Sequence, residues 1–396
     1  MKELINKIKT MSSAYLNEII EIRRHIHTNP ELGFEEYKTS EFIASKLTEF
    51  GIPFKKGIAK TGIVALIQCK NPQKITIALR ADMDALPILE QNDVKYKSVN
   101  EGVMHACGHD AHVACLLGAA KIINSLKEEL QGTVKLIFQP SEEMFPGGAL
   151  AMINEGVLEN PKPDLIIGQH VLPTMDSGKM GLKSGKYMAS TDEIYLTVKG
   201  KGGHGATPEL NIDPIVISAH IIIALQQIVS RNARPDVPTV LSFGRVIANG
   251  RTNIIPDLVT LDGTLRTFDE VWRAEVHQKI TKMAQSIAEG MGGSCDVRIE
   301  KGYPFLVNDD KVTKEVSDNA KAFLGEENVE ELPLRMTAED FAYFTQQIPA
   351  CFYRLGIRNE SKGITSNLHT NTFNIDEDSL KTGMGLMAWL AVSKMG

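Results

Sequence analysis

Several stretches of this chain are apolar without interruption, instead of apolar at every second position. The runs near Gly62 to Gln68, Ile75 to Ala81, Thr133 to Gln139 and Asp164 to Val171 all have this character. A strand with one wet face alternates, whereas a strand read as continuously apolar is covered on both faces. Between these runs the period lengthens to that of helices, from about Asp110 to Leu126 and from Gly147 to Asn154. The alternation predicts an α/β fold with a mostly parallel sheet and helices on both faces. Two helices precede it. The first ends near Thr28-Asn29-Pro30, where proline forbids continuation, and the second covers Tyr37 to Phe50 and stops at Gly51.

The pattern changes after Gly185. Strands near Tyr187 to Lys199, Thr239 to Ala248, Leu258 to Thr267 and Cys295 to Glu300 enclose helices at Pro214 to Ser230 and Asp269 to Met291. This order suits a small α+β sandwich with its helices on one face of an antiparallel sheet. From about Gly302 the alternation of helix and strand resumes, and a helix near Leu380 to Lys394 closes the chain. The expected organisation is therefore a catalytic domain of residues 1–186 and 301–396 interrupted by an inserted lid or dimerisation domain, 187–300. A length of 396 residues agrees with more than one core.

Composition removes several classes of function. A net charge of −6 with acidic and basic residues interleaved leaves no basic stripe for nucleic acid. The N-terminus is amphipathic and lacks the uninterrupted apolar core of a signal peptide. No stretch approaches the ~20 apolar residues of a membrane span; the run from Ile215 to Ile228 is short and contains His220 and two glutamines. Five scattered cysteines do not make a disulfide framework, so a reducing cytoplasm is expected.

The chemistry gathers at predicted strand ends. His105-Ala-Cys107-Gly-His109-Asp110 offers a thiol and an imidazole to a divalent ion, with Gly108 permitting the turn that lets them converge. Glu142-Glu143 follows a strand; neighbours in extended chain point to opposite sides, so one carboxylate can grip a metal while the other faces water or substrate. Arg80-Ala-Asp82-Met-Asp84, Gly168-Gln-His170 and Asn367-Leu-His369 have the same placement, where ligands bind in open α/β sheets. Each segment alone has an ordinary explanation as a helix cap, a surface carboxylate or a loop. Taken together they describe a metal site.

These segments, with Arg23-Arg-His-Ile-His27, Gln139-Pro-Ser-Glu-Glu143 and Gly203-His204-Gly-Ala, resemble the metallopeptidase superfamily of aminoacylases and carboxypeptidase-G-like enzymes over essentially the whole chain. The chain looks most like the branch of hippurate hydrolases, N-acetyl-diaminopimelate deacetylases and auxin-conjugate hydrolases. The resemblance implies that Cys107, His109, Glu143, His170 and His369 hold two divalent ions, with Cys107 bridging; zinc stands foremost, with manganese, cobalt or nickel as alternatives because a soft thiolate bridge leaves the preferred metal open. It implies Glu142 as general base and Asp84 as a carboxylate orienting the site from behind a ligand. It assigns His204 to the oxyanion, and Asn253 and Arg266 to the substrate carboxylate. It leaves Met336-Thr-Ala-Glu-Asp340 facing the site without a role, His105 and His112 as supporting groups, and His25 and His27 as packing. Relatives often carry His after Ala-x-Pro in the lid loop, where this chain has Glu209 after Pro208.

The implied reaction is hydrolysis of the amide bond of a small-molecule N-acyl amino acid, by a homodimer with no membrane or nucleic-acid partner. A dipeptidase or carboxypeptidase with the same dinuclear site is the alternative, and a catalytically silent metal-dependent scaffold is a third reading, against which every expected position is filled.

Overall fold

The computed structural model describes residues 1–395. The chain divides into two units. The first comprises Met1–Tyr187, Val307–Leu334 and the stretch from Asp340 onward; the second comprises Met188–Leu306 and Arg335–Glu339.

In the first unit, Thr76–Asp82 and Thr133–Gln139 are buried at every residue, including Arg80, Asp82, Lys135 and Gln139, which interrupt their mostly apolar runs. They form the middle of an eight-stranded sheet in the order Phe54–Ile58, Gly62–Gln68, Thr133–Gln139, Thr76–Asp82, Leu165–Asp176, Ala350–Arg358, Met180–Leu182, Val329–Glu331. The four strands at its centre run parallel. Antiparallel strands Phe54–Ile58 and Gly62–Gln68 finish one edge. The edge strands Phe54–Ile58 and Val329–Glu331 and the short strand Met180–Leu182 beside the latter carry no pattern of their own and were not expected from the sequence.

Helices cover both faces. His109–Leu126 is buried nearly all round, lying between the sheet and the helices Lys2–Thr28 and Ser379–Val392. On Leu165–Asp176, Gln169 faces Gly383 of that last helix, whereas its neighbour Gly168 faces Phe341 on the opposite side. The helices Gly148–Asn154 and Ala342–Thr345 pack together there.

Register sets the level of the site. Asp82 pairs with Gln139, and Arg80 pairs with Gly168, so two residues further along their parallel strands Asp82 and His170 come level. Leu165–Asp176 continues past His170, however, so His170 stands inside a strand, not at its end.

The second unit is an antiparallel sheet in the order Thr239–Ile247, Leu258–Thr267, Asp192–Lys199, Ser294–Lys301. Helices Pro214–Gln227 and Glu270–Gly290 close its core; Ile194, Leu196 and Val198 meet Ile217, Ile221, Val276 and Ile280 there. Both helices begin at an aspartate, Asp213 and Asp269, whose carboxylate accepts from free N–H groups of the first turn. The stretch Pro214–Asn232 is long and apolar enough to cross a membrane by length and composition. Here it packs Ile217, Ile221 and Leu225 inward and leaves Ile215, Val216 and Ile223 exposed.

A buried ion pair anchors this unit. Arg273 donates through Nε to Asp192 at 2.9 Å, to the carbonyls of Thr191 (2.9 Å) and Gly302 (3.0 Å), and to Glu270 at 3.0 Å. His277 donates to the same Asp192 at 2.6 Å. Removing the guanidinium strands a buried carboxylate. Arg273→Met should cost about 3–5 kcal/mol of the unit's stability, read by chemical denaturation; a loss below about 1 kcal/mol would show that His277 and Gly302 suffice for Asp192.

Candidate metal centre

The main chain turns into the site at Gly108, whose φ of 83° lies in the left-handed region. A side chain there would also meet Val171 Cγ2 at 2.6 Å. Only glycine satisfies both demands, and the turn delivers Cys107 and His109 from either side of it.

His109 opens its helix fully buried. Its Nδ1 donates to Asp84, at 3.0 Å to the carboxylate and 2.9 Å to the carbonyl. That fixes the ring and leaves Nε2 buried without a hydrogen-bond partner. His170 is oriented in the same manner: Nδ1 donates to the Val171 carbonyl at 2.8 Å, and Nε2 lies 3.5 Å from Cys107 Sγ. His369, with φ of 60°, is held by its own N–H on the Ala106 carbonyl at 2.8 Å, and its Nε2 stands 3.2 Å from Glu143 Oε1. Glu143 is anchored through its backbone N–H, which donates to Asp84 Oδ2 at 3.0 Å. Asp84 thus fixes two neighbours at once.

The donor atoms form overlapping groups, each with its members within 4.8 Å of one another: Cys107 with His109 and His170; Cys107 with Glu143 and His369; and His109 with Glu142 and Glu143. Cys107, His109 and Glu143 each belong to two of these groups. Glu142, buried, accepts the Asp340 N–H at 3.3 Å.

Behind these donors runs a buried polar chain that the sequence did not reveal. Arg80 donates to Asp82 at 2.6 Å, to Gln139 at 2.8 Å and to Asp340 at 2.7 Å. Asp82 accepts from His112 Nδ1 at 2.5 Å, and His112 Nε2 accepts the Val171 N–H at 2.9 Å, beside His170. Asp340 also takes the Ala149 N–H at 2.9 Å. A fully buried arginine looks in sequence like a surface residue; only the register that brings Asp82, Gln139 and His170 level exposes its role. His27 also differs from the expectation of simple packing. It lies in a buried ion cluster, bonded to Asp110 at 2.8 Å and Glu90 at 3.2 Å, with Arg23 at 2.7 Å from the same Asp110. His25 stacks on Phe42. His105 is buried with neither ring nitrogen partnered, and burial pushes it down to about 3.

The electrostatics favour a cation. Burial works against a charged His109, yet Asp82, Asp84 and Glu143 outweigh it and push the imidazole up to about 10. Burial, reinforced by Glu143, Glu142 and Asp82, holds the Cys107 thiol well above its ordinary range. Burial, with Arg354 and His112, keeps His170 well below its own and therefore neutral. A pocket that protonates one imidazole, withholds charge from a thiol and leaves His109 Nε2 without a hydrogen-bond partner suits divalent metal.

His204, Asn253 and Arg266 belong to the second unit. His204 pairs with Ile254 in a two-residue antiparallel ladder, and Gly205 N–H donates to the Asn253 carbonyl at 2.9 Å, so two segments distant in the chain meet here. His204 Nδ1 accepts the Ala206 N–H at 3.0 Å, which leaves Nε2 as the proton-bearing nitrogen. Arg266 sits on Leu258–Thr267, opposite Val240. Glu209 is exposed in the short turn Pro208–Leu210.

The family model for peptidase family M20/M25/M40 matches residues 78–392. Thermostable carboxypeptidase 2 of Saccharolobus solfataricus is 41% identical over 393 residues, 98% of each chain. N-acyl-L-amino acid amidohydrolase of Geobacillus stearothermophilus is 41% identical over 311 residues, 78% of this chain and 81% of that one. Among solved structures, a Bacillus subtilis protein described as a dinuclear metal binding peptidase from the M20 family superposes with a TM-score of 0.81 at 34% identity, covering 97% of this chain and 99% of that one.

Metal loading must expel protons from Cys107 and His109. Apparent Zn2+ affinity should therefore climb as pH rises from about 6 to about 8, with proton release visible by calorimetry in buffers of differing ionisation enthalpy. A flat affinity across that range would mean neither group becomes a ligand.

Proposed function

This chain belongs to the peptidase family M20/M25/M40, and from that premise we propose that it hydrolyses the amide bond of an N-acyl amino acid, using two divalent ions held by Cys107, His109, Glu143, His170 and His369. The observation that carries the reading is the convergence of Cys107, His109, Glu143, His170 and His369 in overlapping donor groups with Glu142 beside them. Bound ions of this kind polarise the amide carbonyl and acidify water. Zinc is the first candidate, with manganese, cobalt and nickel behind it.

The protein's own groups do the rest. Glu142, oriented by the Asp340 N–H, accepts the proton of the attacking water and passes it to the nitrogen as the C–N bond breaks, giving a carboxylic acid and an amine. Asp84 keeps His109 in the tautomer that presents Nε2 inward. His204 Nε2–H is proposed as donor to the oxyanion, and Asn253 and Arg266 as the grip on the substrate carboxylate. The reading calls for no membrane or nucleic-acid partner. Five buried free cysteines support a reducing cytoplasm.

A second reading, carboxypeptidase or dipeptidase action, is favoured by the name of the Saccharolobus relative. Both readings place the same demand on Glu142. Glu142→Gln should lower kcat by at least about a hundredfold while the metal content, read by atomic emission, stays that of the wild type. Unchanged turnover would reject the mechanism, and faster cleavage of unblocked dipeptides than of N-acetyl or N-benzoyl amino acids would move the assignment to the second reading.

We also propose a homodimer through the second unit. Its edge strand Thr239–Ile247 pairs on one side with Leu258–Thr267 and exposes Val240 and Val246, an arrangement that invites a second strand. Light scattering should give twice the chain mass of 43.6 kDa; the monomer mass alone would dispose of the dimer.

A further inference from the structure

Ser141 immediately precedes the two glutamates, and its φ is 49°, in the left-handed region that a residue with a side chain avoids. Such a conformation costs roughly 1–2 kcal/mol and persists only where its surroundings hold it. The holding is visible on both sides of the residue. Its carbonyl accepts the Gly148 N–H at 2.8 Å. Its N–H donates to Glu36 Oε1, also at 2.8 Å.

Glu36 is a buried carboxylate that the proposed chemistry does not use. It stands at the start of the helix Tyr37–Glu49 without capping it. Its second oxygen accepts from Thr61 Oγ1 at 2.6 Å, just before the strand Gly62–Gln68. The acceptor is thus tied to two elements of the first unit. The loop ahead of it is shaped to the same residue: a side chain at Gly33 would come within 2.6 Å of Ser141 Oγ. Burial, eased by Thr61, pushes the Glu36 carboxyl up to about 7, so the group is kept at a cost.

We infer that Glu36 is a positioning residue for the Glu142–Glu143 pair, acting through the Ser141 N–H to set the turn that aims one carboxylate at the metals and the other at the water. The next anchors along the chain are the Glu143 N–H on Asp84 and the Asp340 N–H on Glu142. Glu36 supplies the one at the entry of the turn. Without it the left-handed residue loses its N–H partner, and relaxation toward an ordinary φ swings both glutamates.

The inference rests on the proposed roles of Glu142 and Glu143, and its test has a readout that needs no substrate. Wild type, Glu36→Ala and Glu36→Gln would be compared for kcat and KM, and for Co2+ binding followed by the thiolate–cobalt absorption. Glu36→Ala should lower kcat by about tenfold or more, with KM within about threefold, and weaken and shift the cobalt signal. Glu36→Gln, whose amide oxygen still accepts from Ser141, should restore both. If Glu36→Ala does not fold, Glu36→Asp, one methylene short, should show the same losses. Wild-type values of kcat and cobalt spectrum in the Ala or Asp variant would overturn the inference, as would a Gln variant no better than Ala. A wild type inert toward acyl amino acids would sink the substrate assignment alone, because the cobalt measurement still decides on Glu36.

Discussion

Negative charge, concentrated where water has been excluded, is the constraint from which the rest of the first unit follows. Asp82, Asp84 and Glu142 are buried at one level of the sheet, with Glu143 beside them. Unpaired, each would cost several kcal/mol. Arg80 meets part of the demand by bridging Asp82 and Asp340 with no solvent exposure. A proton on His109 meets more of it. The remainder is an electrostatic deficit that a pair of divalent ions removes, so the features that make the pocket expensive without metal are those that make it bind one. The same reasoning explains why so many N–H groups here are aimed at carboxylates: Ser141, Glu143, Ala149 and Asp340 all donate main-chain hydrogen bonds to acidic side chains.

Legibility of the sequence followed from how local each signal is. Thr76–Asp82 and Thr133–Gln139 could be read because burial on both faces leaves its mark on every residue. The helix His109–Leu126 and the two helices of the second unit could be read from period and from Asp213 and Asp269 ahead of them. The strand through His170 was read too short because Gln169-His170 looks like a polar stop; both side chains are in fact taken into the fold, Gln169 Oε1 accepting from the Tyr353 hydroxyl and His170 Nδ1 donating to a backbone carbonyl. Met180–Leu182 and Val329–Glu331 exist only because a neighbour pairs with them. The donors of the candidate centre were legible as residue types that recur beside strand ends. Of their supports, Asp84 and His112 were named through the resemblance, but nothing in the local sequence around Arg80 or Glu36 says that each is fully enclosed, since that depends on strand register and on segments far away in the chain.

The division of labour between the units also bears on how far a family assignment reaches. The proposed acid–base and ligand residues lie within the first unit, and relatives named for carboxypeptidase and for amidohydrolase activity are both 41% identical to this chain, over 393 and 311 residues. A site of this kind attacks an amide carbonyl whatever flanks it. Discrimination among acyl groups has to come from side chains that touch the substrate away from the carbonyl.

The first unit is assembled from three separate segments of chain, and the last of them contributes His369. During synthesis, Cys107, His109, Glu143 and His170 leave the ribosome while more than half of the polypeptide is still to be made. The central strand Ala350–Arg358, which lies against Leu165–Asp176, is also missing at that stage. A nascent chain can therefore offer ion ligands well before it can enclose them, and the sheet closes only after the whole second unit has been translated. His369, the last of the proposed ligands, is added only in the final tenth or so of translation, after the strand that closes the sheet.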